Sequence, residues 1–136
     1  MALIDIENDI FSDIADEIRA HFPEAHVTGE YVKSPPYFPS VSSVEADNSV
    51  YRRTQTGEHT ENHAQVLYEV NVYSNKTSGK KMECREIMSL VDDMFARLGF
   101  TRTLMNTIPD MYDATIYRMV ARYQAVIGKD FTIYKT

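Results

Sequence analysis

The stretch TGEHTENHA, residues 56–64, sets His59 and His63 four apart with Glu58 and Glu61 among them. Histidines at that spacing ligate zinc when they share a helix face, and a glutamate directly after the first serves as general base in zinc proteases. Here Thr60 follows His59, and Glu61 stands one position too late. The segment is rich in Thr, Asn and Gly, poor helix formers, and lies between two strand-like runs. The remaining ligands of the right type, His21, His26 and Cys84, are distant in sequence. The stretch reads as a polar loop, with no metal and no cofactor assigned.

Other reactive groups assemble no better. Cys84 falls on the apolar face of a helical pattern, where a small buried residue is expected rather than a nucleophile. TSGKK (77–81) lacks the first glycine of a phosphate loop, and a lysine replaces its final Ser or Thr. Ser78 before a helical run reads as ordinary capping. No glycine-flanked serine elbow occurs. Glu45 and Glu69 can pair with each other, but the complementary reading is ion pairing of carboxylates with Arg118 and Arg122 across a sheet. No catalytic residue is assigned, and the chain is read as a non-enzyme.

The elements around these residues follow from hydrophobic periodicity. In residues 4–22, Ile6, Ile10, Ile14, Ile18 and Phe22 recur every four positions, with Phe11 and Ala15 on the shoulder. Asp5, Asp9, Asp13, Asp16 and Glu17 fill the other side, as a solvated face or a surface for a basic partner, and Pro23 ends the helix. Residues 25–34 and 40–47 read as strands separated by the proline-rich SPPYFP. Residues 48–63 are polar and read as a long arm or loop. Residues 64–74 alternate cleanly, with Val66, Tyr68, Val70 and Val72 on one face and Glu69 and Asn71 on the other.

A second helix is expected over about 80–98, its broad face of Cys84, Ile87, Met88, Leu90, Val91, Met94, Phe95 and Leu98 suited to lying on a sheet. Gly99 closes it in the left-handed conformation. Strands follow at 100–108 and 113–127, with a short last one at 131–135. The order α-β-β-β-α-β-β predicts a two-layer α+β domain spanning residues 1–136, a mainly antiparallel sheet with both helices on one face. The other face, carrying Glu69, Asn71, Arg118, Arg122 and Gln124 among apolar residues, is then exposed and suited to association.

Bulk properties bound the function. The chain has 136 residues, room for one domain, and is 43% hydrophobic and 25% charged, ordinary for a soluble protein with a packed core. One cysteine excludes an internal disulfide and fits a reducing cytoplasm. No apolar run approaches a membrane span, and the acidic MALIDIENDI is unlike an export signal. With 14 basic and 20 acidic residues, net charge −6, tight sequence-independent binding of nucleic acid is disfavoured. Nine tyrosines fall largely in strands, where sheet packing accounts for them. In the Tyr117–Tyr123 stretch the arginines lie opposite the tyrosines, unlike a base-stacking platform.

Several segments together, YFPSVSSVEADN (37–48), YEVNVYSNKTSGKK (68–81), LGFTRT (98–103), DATIYRMVARYQAVI (113–127) and the helix beginning IENDI, resemble the tail terminators and head–tail joining proteins of long-tailed bacteriophages. The resemblance spans nearly the whole chain in element order and includes no catalytic signature. It implies an α+β subunit forming a homohexameric ring at the head-proximal end of the tail tube. There it stops tube growth and meets the head connector or stopper protein, located in the virion after assembly in the host cytoplasm. DNA passes through such a ring without tight binding.

A closed ring needs unlike complementary surfaces on each subunit. The expected contacts are Arg52, Arg53, Glu58 and Glu61 in the arm, and Glu69, Arg118 and Arg122 on the sheet. The alternative from another class is a monomeric or dimeric module binding a peptide or nucleic acid through the open sheet face.

Overall fold

A computed structural model describes residues 6–30, 35–50, 63–109, 113–128 and 133–134. Helix α1 (Glu7–His21) leads into β1 (His26–Thr28), β2 (Ser40–Val50) and β3 (His63–Ser74). Helix α2 (Lys80–Arg97) follows, then β4 (Thr101–Thr107), β5 (Tyr117–Gly128) and β6 (Ile133–Tyr134). The strands form one sheet in the order β1-β2-β3-β5-β4, with β6 pairing to β5. All pairings are antiparallel except that of β1 with β2. The α+β class and element order are those the periodicity predicts.

Both helices lie on one side of this sheet. Ile10, Ile14 and Ile18 of α1 and Cys84, Ile87, Met88, Val91 and Phe95 of α2 share one core with Val66, Tyr68, Val70 and Val72 of β3 and Met119, Ala121, Tyr123, Ala125 and Ile127 of β5. The period-2 alternation on β3 and β5 therefore faces the helices as read from sequence. Each fully buried isoleucine there contributes about 1.5–3 kcal/mol. Glu7 and Asp9 in the first turn of α1, with Arg19 and His21 in its last, complement the helix dipole.

The helix α2 ends as Gly99 predicts. Gly99 has φ +94°, its N–H donates to Ala96 O at 3.1 Å, and Phe100 N–H donates to Phe95 O at 2.9 Å. That is a Schellman closure, completed by the Phe95–Phe100 ring contact at 5.1 Å. The other end differs from expectation. Ser78 is not the cap; Gly79, at φ +88°, holds that position, and no described side chain caps the helix. Glycine reaches this left-handed turn without steric cost.

Two strand boundaries also depart from the sequence reading. β2 runs to Val50 and β3 starts at His63, with Asn48 opposite Val66, Ser49 opposite Gln65 and Val50 opposite Ala64. A bulge between Glu45 and Asp47 adjusts the register, and backbone pairing then carries polar residues that have weak strand preference of their own. The expected loop at 48–63 is thus shortened at both ends, and its middle lies outside the described residues. β1 is three residues long where 25–34 was expected, and 31–34 lie outside the described residues. His26 N–H donates to Pro39 O at 2.9 Å, so the proline-rich segment docks against β1.

Candidate interface surfaces

Arg52, Arg53, Glu58 and Glu61, together with His59, lie outside the described residues. His63 is described: it opens β3 opposite Gly128, half-buried, in extended backbone rather than on a helix. Among the described residues no three His, Cys, Asp or Glu side chains gather as metal ligands. No described helix is long and apolar enough to cross a membrane.

The sheet residues singled out from sequence do meet. Glu69 stands opposite Arg122 in the β3–β5 register, and its Oε1 accepts from Arg122 Nε and Nη2, each at 3.1 Å. Half of the Arg122 side chain is solvent-exposed, so this pair alone is worth little stability. Arg118 does not join a carboxylate among the described residues. Its Nε donates to Asn71 Oδ1 at 2.9 Å, and its guanidinium carbon lies 5.5 Å from the centre of the Tyr73 ring. Asn71 Nδ2 in turn donates to Glu69 Oε2 at 3.5 Å. One row of side chains thus runs Arg122–Glu69–Asn71–Arg118–Tyr73.

This row changes the picture of the helix-free face. Asn71 (1% exposed), Tyr73 (2%) and Val120 (3%) are buried although no described helix covers them. Long side chains from the same face screen its centre, and exposure is confined to groups such as Arg122, Asp47 and Asn106. The expected bare face is therefore partly closed within the subunit. Tyr73 was legible as a member: counting by two from Glu69 puts it on the arginine face. Glu45 is on the opposite side, its Oε1 accepting from Tyr68 Oη at 3.3 Å and Asn48 Nδ2 at 3.5 Å. It cannot pair with Glu69 through the sheet.

On the helix side, α2 stops short of covering β4. A cleft of about 200 Å3 opens there, lined by Arg85, Met88, Ser89 and Asp92 of α2, by Arg102 and Met105 of β4, and by Met119 of β5. Asp92 Oδ1 accepts from Arg102 Nη1 at 3.2 Å and from Tyr123 Oη at 3.0 Å. The cleft was not legible from sequence, because its methionines come from three elements. The only foreshadowing was the breadth of the α2 apolar face.

Cys84 is fully buried, its thiol directed at Val72 O (3.7 Å) and Tyr117 O (3.5 Å). Burial first, then the neighbouring Glu83 carboxylate, push its pKa from 9.0 to about 12. The thiolate a nucleophile requires is thereby suppressed. Burial and the Asp92 carboxylate also raise Tyr123 above its ordinary 10.0. Between pH 9.0 and about 12 the unfolded chain releases the Cys84 proton while the folded chain retains it, so stability falls as pH rises. Tyr123 adds to the fall above pH 10. Urea titrations across this window should show a declining unfolding free energy, and Cys84→Ala should flatten the part that begins near pH 9.0. An unchanged slope would show that the thiol is not the titrating group.

No family model matches the chain, and no curated protein does.

Proposed function

We propose that this chain is a structural subunit of a long-tailed phage virion, a tail terminator or closely related head–tail joining protein working as a homohexameric ring. The observation that carries the reading is the contrast between the two edges of its sheet. At one edge stand β1 and the acidic helix α1, with Asp9, Asp13 and Asp16 exposed. At the other stands β4, beside a cleft of methionines and arginines. Unlike surfaces at opposite edges are what a heterologous, ring-closing interface uses. A Glu69–Arg122 pair half open to solvent can take on new partners when tube or connector subunits approach.

Electron microscopy of tails made without the protein is the test. Overlong tubes identify a terminator, tubes of normal length that fail to attach to heads identify a joining protein, and normal particles reject the reading. The net charge of −6 fits a lumen that lets DNA slide, since few cations are available to release its counterions. Duplex titrations at physiological salt should accordingly show no binding. The rival reading is a monomeric or dimeric module that binds a peptide or nucleic acid, and the α2–β4 cleft favours the peptide form of it. Size-exclusion chromatography with light scattering separates the two: a ring supports the first, a monomer at every concentration the second.

A further inference from the structure

We propose that Tyr37 of one copy inserts into the α2–β4 cleft of the next, forming the repeated contact of the ring. The inference rests on the ring reading above and names its interface. Tyr37 is 68% exposed, one of two large apolar side chains left so open among the described residues. Its ring leans on His26 of β1, centroids 5.9 Å apart at 59°, which holds it at the β1 edge. An aromatic group fixed in place yet facing solvent is the type of side chain that anchors interfaces.

The cleft fits that ring in size and chemistry. An apolar cavity of about 150 Å3 accommodates benzene, and this cleft measures about 200 Å3. Met88, Met105 and Met119 supply polarizable thioethers, which make favourable contacts with aromatic rings. The Asp92 Oδ1 atom is occupied by Arg102 and Tyr123, whereas Oδ2 has no hydrogen-bond partner among the described residues. That oxygen is available to accept the Tyr37 phenol O–H.

Charge points the same way. β1 is flanked by Glu24 and Glu30, exposed and without ion pairs among the described residues. Lys81 and Arg85 follow one another at i, i+4 on α2, also exposed and unpaired among the described residues, and Arg85 lines the cleft. An acidic edge bearing an aromatic knob thus complements a basic edge bearing a hole. The faces agree as well. His26 is in register with Ser40, which puts it on the helix-free side, whereas the cleft opens on the helix side. The β1 edge of each copy can therefore lap over the β4 edge of the next, as tiles do, and the same overlap repeats until the ring closes. Within one chain the two edges lie four strand spacings apart, roughly 19 Å, so Tyr37 cannot fill its own cleft.

The test is a mixed cross-link in the full-length chain. Pro36→Cys, beside the intact Tyr37 anchor, and Ser89→Cys, both at exposed positions, should form a disulfide-linked dimer when mixed and oxidised, and neither should dimerise alone. A chain carrying both substitutions should give a ladder of cross-linked species on a non-reducing gel, ending at the closed ring. The unsubstituted chain, with Cys84 buried, controls for the native thiol. Tyr37→Ala should weaken association by about tenfold or more, and Tyr37→Phe by less. A ring unaffected by Tyr37→Ala, with no mixed cross-link, would overturn this contact and leave the ring standing. A monomer at every concentration would overturn both.

Discussion

Phe95→Ala is expected to destabilise the fold by about 3–5 kcal/mol, the cost of emptying a fully packed aromatic site. Phe95 has no exposed surface and is the hub of an aromatic cluster. Its ring stacks on Tyr123 at 4.3 Å and 5°, meets Phe100 edge-on at 5.1 Å and 80°, and lies 5.9 Å from Tyr68. Helix α2 is thereby fixed to β3 and β5 through one side chain, and the same residue supplies the carbonyl for the Schellman closure at Gly99. Small domains hold only about 5–15 kcal/mol in total, so the variant should approach marginal stability. Urea unfolding followed by circular dichroism should show the midpoint falling sharply with little change in slope. Phe95→Leu, which retains most of the volume, should lose markedly less. A loss below about 1 kcal/mol for the alanine variant would mean that the cluster does not anchor α2.

How the sequence signals fared follows from what each one measures. The period-2 runs on β3 and β5 and the four-residue spacing of isoleucines on α1 report burial directly, so the core-facing side of each element was legible. Gly99 reports a backbone requirement and was legible for the same reason. β2 beyond Asp47 was not, because Asn48 and Ser49 are held by pairing to Gln65 and Val66 rather than by their own preference. The meeting of Glu69 with Arg122 was legible from alternation together with opposite charge. The partnership of Arg118 with Asn71 was not, since it depends on register: Arg118 stands opposite Tyr73, and Asn71 is reached diagonally. The cleft depends on how far α2 extends toward β4, which no local pattern encodes.

Arg118→Ala is expected to lower stability by about 2 kcal/mol, far more than truncation of its neighbour Arg122. The difference lies in what each arginine leaves behind. Arg122 is half-exposed and pairs with an accessible carboxylate, so its loss should fall within the 0–1 kcal/mol typical of surface ion pairs. Removing Arg118 strips the donor from Oδ1 of Asn71, a residue 1% exposed, and uncovers the Tyr73 ring. An unpartnered buried amide oxygen costs about 1–3 kcal/mol, and the lost cation–ring contact adds about 0.5–1. Arg118→Met with Asn71→Leu removes both polar partners and restores apolar contact, so the double variant should recover most of the loss. A double-mutant cycle on urea unfolding would measure the coupling, expected at 1 kcal/mol or more on the scale of contacting pairs, about 0.5–3 kcal/mol. The same double variant also divides the sheet face by role. If it folds and the proposed ring still forms, Arg118 serves the interior of the subunit rather than the proposed interface. If it folds but the proposed ring does not form, Arg118 and Asn71 belong to the proposed interface.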